Sequence, residues 1–270
     1  MDDFFVRLFS KQPINIIKND FYFDADSDGD PFDEGDEDYW LNQNVFKNNW
    51  EGKRQGRSKN FILCDEIASR IACEGKPFLE ISCGPGMGLV PAVLAKNPKL
   101  QCLATDACSR LIKAWRYYID KNLAEYNISL ASFSVLNIPI KDNSLDYITS
   151  FLGIGSTRNG MNGQIKALKE VLRILKPGGF FITIEGEFEN FMKVDEVFKL
   201  WGKNNWYRND ESWITPWAEK FIAAGFKIDS ENKHHYRKWD KNSNDLGEAS
   251  EKFNIEIGMK DKLYILRKIS

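Results

Sequence analysis

The residues best suited to chemistry lie in one short run, FLEISCGPGMG at 78–88. An apolar stretch leads directly into Gly84, Gly86 and Gly88, and glycines let a backbone turn sharply and approach a ligand where a Cβ would collide. The spacing departs from the GxGxxG of dinucleotide binders: the residue three after Gly86 is Leu89, and the third glycine falls early, at Gly88. Asp106 follows a second apolar run, LQCLAT, which places its carboxylate at the carboxyl end of a strand beside the loop. There it can accept hydrogen bonds from both hydroxyls of a ribose. The plainer alternative is that it caps a helix beginning near Ala107.

Other reactive types are sparse. Cys83 lies inside the loop with no base beside it in sequence, so its backbone is expected to matter more than its sulfur. His234 and His235, the only two histidines, are general-base candidates by chemistry. They stand in a polar stretch, HHYRKWDKN, where a solvated pair is the commoner outcome. Asp24, Asp26, Asp28 and Gly29 match the start of a calcium loop, but the twelfth position is Gly35 where a bidentate glutamate is required. The five cysteines show neither CxxC nor Cys/His spacing, so no metal is expected, and reduced thiols in a cytoplasmic protein fit best.

The elements that must position the loop follow from hydrophobic pattern. From Lys76 onward, short β-rich runs alternate with helical stretches, as repeated βα units on a mostly parallel sheet require. Strands are expected at Phe78–Ser82, Leu100–Thr105, Ala131–Val135, Leu145–Phe151, Phe180–Glu185 and Phe226–Ile228. Helices are expected at Leu89–Lys96, Ser109–Glu125 and Gln164–Leu175, the last stopped by Lys176-Pro177-Gly178-Gly179. A further helix runs from Thr215-Pro216-Trp217 through Ala224, with Thr215 as N-cap and Gly225 as its end. The C-terminal end reads as an antiparallel pair, Phe253–Met259 and Leu263–Ile269, joined by a KDK turn.

With those elements in place the resemblance becomes specific. FLEISCGPGMG, then ATDAC, VLNIPIKDNSLDYITSFLGIG and ALKEVLRILKPGGFFITIE resemble the successive motifs of the class I S-adenosylmethionine-dependent methyltransferases, especially the group that modifies small molecules. The similarity covers about residues 76–186. It implies an α/β fold, a Rossmann-like seven-stranded mostly parallel sheet with helices on both faces and an antiparallel C-terminal strand pair. It also implies that Glu80 and the loop Ser82, Cys83, Gly84, Pro85 and Gly86 hold the methionine part of S-adenosylmethionine, and Asp106 with Ala107 the ribose. Ser134 and Val135 would edge the adenine, and Phe151, Leu152 and Gly153 would lie near the sulfonium. Ser82 stands where the family usually has glycine, and Ser134 where an acidic residue is common.

Residues 61–270 are thus expected to form the methyltransferase domain, with an aromatic-rich insertion at about 187–214 carrying Phe188, Phe191, Phe198, Trp201, Trp206, Tyr207 and Trp213. These rings either cover a flat or apolar acceptor or pack a helix against the sheet, and packing is expected of most. Residues 1–60 read as an N-terminal appendage containing the acidic segment 20–38, docking on or capping the cofactor site. Arg54, Arg57 and Lys59 are candidates for the cofactor carboxylate, or a solvated basic face.

Charge and length limit the partners. The chain has 37 basic and 39 acidic residues, a net charge of −2, so no global field draws it to nucleic acid or anionic lipid. No run of about 18 apolar residues occurs, and no membrane partner is expected. The reading is methyl transfer from S-adenosylmethionine to a small-molecule acceptor, with S-adenosylhomocysteine as product. A protein or RNA methyltransferase, and a non-catalytic cofactor-binding sensor or assembly protein, stay open as alternatives; oligomeric state is undetermined by sequence.

Overall fold

Continuous apolar runs become the interior of a sheet, because a parallel strand covered by helices on both faces must be apolar on both. The computed structural model describes residues 4–17, 20–23, 37–56, 61–157 and 159–269. After a 3₁₀ turn at Phe4–Leu8 come β1 (Asn15–Ile17), β2 (Asp20–Tyr22), α1 (Glu37–Trp40), α2 (Gln43–Arg54) and α3 (Phe61–Glu74). The central units are β3 (Phe78–Ile81), α4 (Val90–Lys96), β4 (Cys102–Asp106), α5 (Ser109–Asn122), β5 (Ile128–Ser132), β6 (Leu145–Phe151) and α6 (Gly160–Ile174). The chain ends with β7 (Leu175–Phe188), α7 (Phe191–Trp201), α8 (Glu211–Ile214), α9 (Trp217–Ala224), β8 (Lys227–Lys238), α10 (Asp245–Lys252) and β9 (Gly258–Arg267).

Among the described residues nine strands form one sheet in the order β1-β2-β5-β4-β3-β6-β7-β9-β8. From β2 to β7 every neighbouring pair is parallel, and β9 runs antiparallel to both β7 and β8. The Rossmann-like expectation therefore holds, but seven strands become nine. The extra two come from the N-terminal segment: β2 adds to the β5 edge and β1 pairs antiparallel with β2. They are held by Asp20, fully buried, whose carboxylate receives Nε and Nη2 of Arg116 on α5 at 2.6–3.0 Å.

Two apolar layers flank the sheet. On one face Phe46 and Trp50 of α2, Ile67 and Ile71 of α3, Val93 of α4 and the α5 stripe Leu111, Ile112, Trp115 and Ile119 share one core. Their spacing by three and four residues is what an amphipathic helix presents to a sheet. On the other face Ala167, Leu168, Val171 and Ile174 of α6 join Phe221 of α9 and the N-terminal Phe5, Phe9 and Phe21.

The C-terminal expectation is corrected. Residues 253–257 form no strand, and β9 passes straight through Lys260-Asp261-Lys262, where a turn was expected. Those charges survive in a strand because its neighbours neutralise them. Buried Asp261 pairs with Arg237 of β8 at 3.1 Å, Lys262 with Glu187 at 2.5 Å, and Lys260 with Glu189 at 3.2 Å. The antiparallel partner of β9 is instead β8, which extends the short Phe226–Ile228 expectation through His234 and His235 to Lys238. Smaller shifts affect helix ends: α9 starts at Trp217 with Pro216 rather than Thr215 as N-cap, and α6 ends at Ile174, passing into β7 through Lys176 and Pro177 without a loop.

Candidate functional site

The strand order reverses around β3, since β4 and β5 follow on one side and β6 on the other. Loops leaving the carboxyl ends of these strands diverge and leave a crevice, the usual ligand position in such sheets. Here it is a cavity of about 440 Å³. Ser82, Cys83, Gly84, Pro85, Gly86, Asp106, Ala107, Ser134, Val135, Phe151, Leu152 and Gly153 all line it. The structure thus gathers at one place residues from four segments that are far apart in sequence.

Glu80 is placed differently. It is fully buried behind the loop, where Oε2 accepts from Leu89 N at 3.1 Å and from the Thr149 hydroxyl at 2.6 Å, while Oε1 has no partner. A Cβ on Gly88 would fall 1.9 Å from that Oε1, so only glycine lets the backbone pass over the carboxylate. Burial raises the pKa of Glu80 to about 7 against the opposing pull of those two donors.

Asp106 does more than cap a helix. Its Oδ2 accepts from Gly84 N at 3.0 Å and its Oδ1 from Cys108 N at 3.1 Å, so one carboxylate ties the glycine loop to the entry of α5. The cap of α5 itself is Cys108, whose Sγ accepts from Leu111 N. Burial raises the Asp106 pKa, while hydrogen bonds from Cys108, Gly84 and Ala107 oppose the rise. Ser134 turns its hydroxyl to the Leu136 amide at 3.2 Å. Cys83 is buried and desolvation pushes its thiol pKa up, which removes thiolate reactivity at neutral pH and leaves the backbone role: Cys83 N donates to Thr105 O and its carbonyl accepts from Gly88 N, both at 2.8 Å.

The residue that sequence reasoning missed is Lys53. On the face of α2 that carries Phe46 and Trp50, it is 8% exposed, lines the cavity, and donates to Gly86 O at 2.9 Å and Gly88 O at 2.5 Å. Its ammonium also lies 4.5 Å from the centre of the Phe151 ring. Among the described residues no carboxylate is bonded to it, and desolvation lowers its pKa. Asn49, one turn earlier, donates to Pro85 O at 3.2 Å, and Trp115 of α5 donates to Gly84 O at 2.9 Å while stacking on Phe46. The glycine loop is therefore held at successive carbonyls by α2 and α5. The signal was legible: Lys53 stands seven residues after Phe46, a lysine on the apolar stripe of an amphipathic helix.

Other candidates are not brought to the cavity. His234 and His235 lie on β8 at the far end of the sheet order and line none of it. Arg54 reaches Tyr126 instead, and Arg57, Lys59 and the acidic residues 24–36 lie outside the described residues. Tyr39 and Trp40 of α1 do line the cavity. In the aromatic insertion, Phe188, Trp201 and Tyr207 pack with Val194, Phe198, Trp239 and Leu246 as a third core, while Trp206 and Trp213 are 50% and 39% exposed. None of the insertion's rings lines the cavity. No described helix is long and apolar enough to cross a membrane.

Residues 79–183 match the family model for a methyltransferase domain. Over 130 residues the chain is 27% identical to demethylmenaquinone methyltransferase of Staphylococcus epidermidis, which covers 48% of this chain and 51% of that protein. It thus spans about half the length of the curated relatives it matches. The YcgJ protein of Bacillus subtilis superimposes with a TM-score of 0.53 at 17% identity, over 76% of this chain and 99% of that one. The MccD protein does so with a TM-score of 0.51 at 15% identity, over 76% and 96%. At these identities the structural likeness is one of fold, a Rossmann-like α/β fold.

Proposed function

We propose that this chain transfers the methyl group of S-adenosylmethionine to a small-molecule acceptor and releases S-adenosylhomocysteine. The observation that carries the reading is the cavity, which lies at the strand-order reversal and is lined by the loop of the matched methyltransferase segment. Its residues suit the cofactor part by part. Lys53, a buried ammonium bonded to no carboxylate among the described residues, suits the methionine carboxylate. Asp106 suits the ribose hydroxyls, and Phe133, Val135 and Leu136 offer an apolar slot for a flat base. The relatives' name specifies a small-molecule acceptor, which supports the same class here.

When bound, the cofactor supplies a methyl already activated for displacement. The chain's task is then to align an acceptor and exclude water rather than to supply strong acid or base. Phe151, Leu152 and Gly153 form the wall where the acceptor would approach, and Tyr39 and Trp40 bring the N-terminal segment into the lining, which supports a capping role for that segment.

Titration calorimetry with S-adenosylmethionine, S-adenosylhomocysteine and NAD tests the cofactor. The first two are expected to bind and NAD is not; binding of NAD alone overturns the reading. Incubation with methyl-labelled cofactor and fractionated cell extract then tests the acceptor. Label in the low-mass fraction is expected, whereas label confined to protein or RNA assigns a macromolecular acceptor.

A further inference from the structure

The methyl-transfer reading leaves unexplained a set of buried polar side chains beneath the loop that follows β6. Glu185 is 1% exposed, Lys220 is fully buried and Gln164 is 3% exposed. Glu185 accepts from Ile154 N at 3.3 Å and the Thr183 hydroxyl at 3.0 Å through Oε1, and from Gly155 N at 3.2 Å through Oε2. Gln164 of α6 donates to Gly155 O at 3.3 Å and accepts from Lys220 at 2.9 Å. Lys220 of α9 also donates to Ser212 O of α8 at 2.6 Å and lies 4.0 Å from the centre of the Trp217 ring.

We propose that Glu185, Gln164 and Lys220 are positioning residues that fix the cavity wall Leu152–Thr157 and join it to the aromatic insertion. The proposal rests on the reading that the methyl group is presented at this wall. Gly155 is gripped at both its N–H and its carbonyl, and it is flanked by cavity-lining residues on each side: Leu152 and Gly153 before it, Ser156 and Thr157 after it. The wall needs such a grip because Leu152 adopts φ 58°, a left-handed conformation that a leucine does not hold unaided. The Glu185 carboxyl accepts from two successive amides through separate oxygens, and the Gln164 amide donates to a carbonyl while accepting from an ammonium, roles that no apolar side chain could fill. Apolar residues of equal volume would fill this space at lower desolvation cost, so the polar set fits a demand for geometry rather than for packing alone. Gly155 itself leaves room for the carboxylate, since a Cβ there would lie 3.3 Å from Glu185 Oε2.

Hydrogen exchange of the full chain, read segment by segment, tests this together with S-adenosylhomocysteine titration and thermal melting. Gln164→Glu keeps an acceptor for Lys220 but has no donor for Gly155 O, and Gln164→Met removes both. In each variant, amides of residues 152–157 are expected to exchange about tenfold faster while the central strands stay protected. S-adenosylhomocysteine is expected to bind several-fold more weakly, at nearly unchanged melting temperature in Gln164→Glu, which keeps the acceptor for Lys220. Unaltered exchange at 152–157, or an equal rise across the whole sheet, overturns the positioning role. If the parent chain does not bind S-adenosylhomocysteine, the cofactor reading fails while the exchange result still decides the positioning role. Lys220→Met gives a third, independent reading at the α8 end: faster exchange at 211–214 as well as at 152–157 is expected.

Discussion

The backbone of Ser82 adopts φ 53° at the end of β3, in the left-handed region that favours glycine. The resemblance to the methyltransferase motifs puts a glycine at this position, and the left-handed backbone supplies a physical reason for one. Holding a non-glycine residue there costs about 1 kcal/mol. Ser82→Gly is expected to raise stability by up to about that amount, partly offset by the freer unfolded chain, with a higher urea midpoint as the check. The reverse move next door is forbidden: a Cβ on Gly153 would lie 2.6 Å from Ser82 Cβ. Lys53 carries the second prediction at this scale. Lys53→Met should weaken S-adenosylhomocysteine binding by about 2 kcal/mol, roughly thirtyfold, as loss of a charge-assisted bond does. A cofactor analogue lacking the carboxylate should bind parent and variant alike; an equal loss for both ligands would show that Lys53 acts only by holding the loop.

At the scale of elements, α2 and the β1–β2 pair turn the N-terminal segment into part of the fold. Beside its ladder to β5, the pair is held by a buried ion pair, Arg116 to Asp20. Replacing Arg116 with Met takes the guanidinium away from a fully buried carboxylate, so stability should fall by about 3 kcal/mol. Limited proteolysis should then cut first within residues 4–23; cleavage spread evenly along the chain would contradict that anchoring. The central βα units, with their alternation of apolar runs and amphipathic helices, were legible within a few residues. The β8–β9 pair was not. Its charges looked like a turn because sequence shows a residue's hydration cost but not the cross-strand partner that cancels it, as Arg237 does for Asp261.

For the whole molecule, the buried carboxylates set how stability responds to pH. Burial raises the pKa of Glu80 and Glu185 to about 7, above the unfolded value of about 4.5. The folded state then binds more protons than the unfolded state between those values, so stability falls as pH rises through that window. Glu187 and Asp146 are held below the usual carboxylate range by Lys262 and by Lys176 with Lys76, against the opposing effect of desolvation, and their contribution is lost on acidification below it. Urea denaturation should therefore show greater stability near pH 5.5 than near pH 7.5. A stability rising steadily to pH 7.5 would contradict this, and Glu185→Gln should flatten part of the slope.

The glycine loop, Asp106, the apolar strands and the amphipathic helices were determined by the sequence itself, because backbone freedom and hydrophobic periodicity are local properties. Tertiary structure alone decided that Glu80 backs the loop rather than lining the cavity, and that Lys53 rather than Arg54 reaches it. It also placed His234 and His235 on the outer strand of the sheet. Each of these depends on which distant group lies opposite a buried side chain, and the energy of burying charge is fixed by that partner and not by neighbours along the chain.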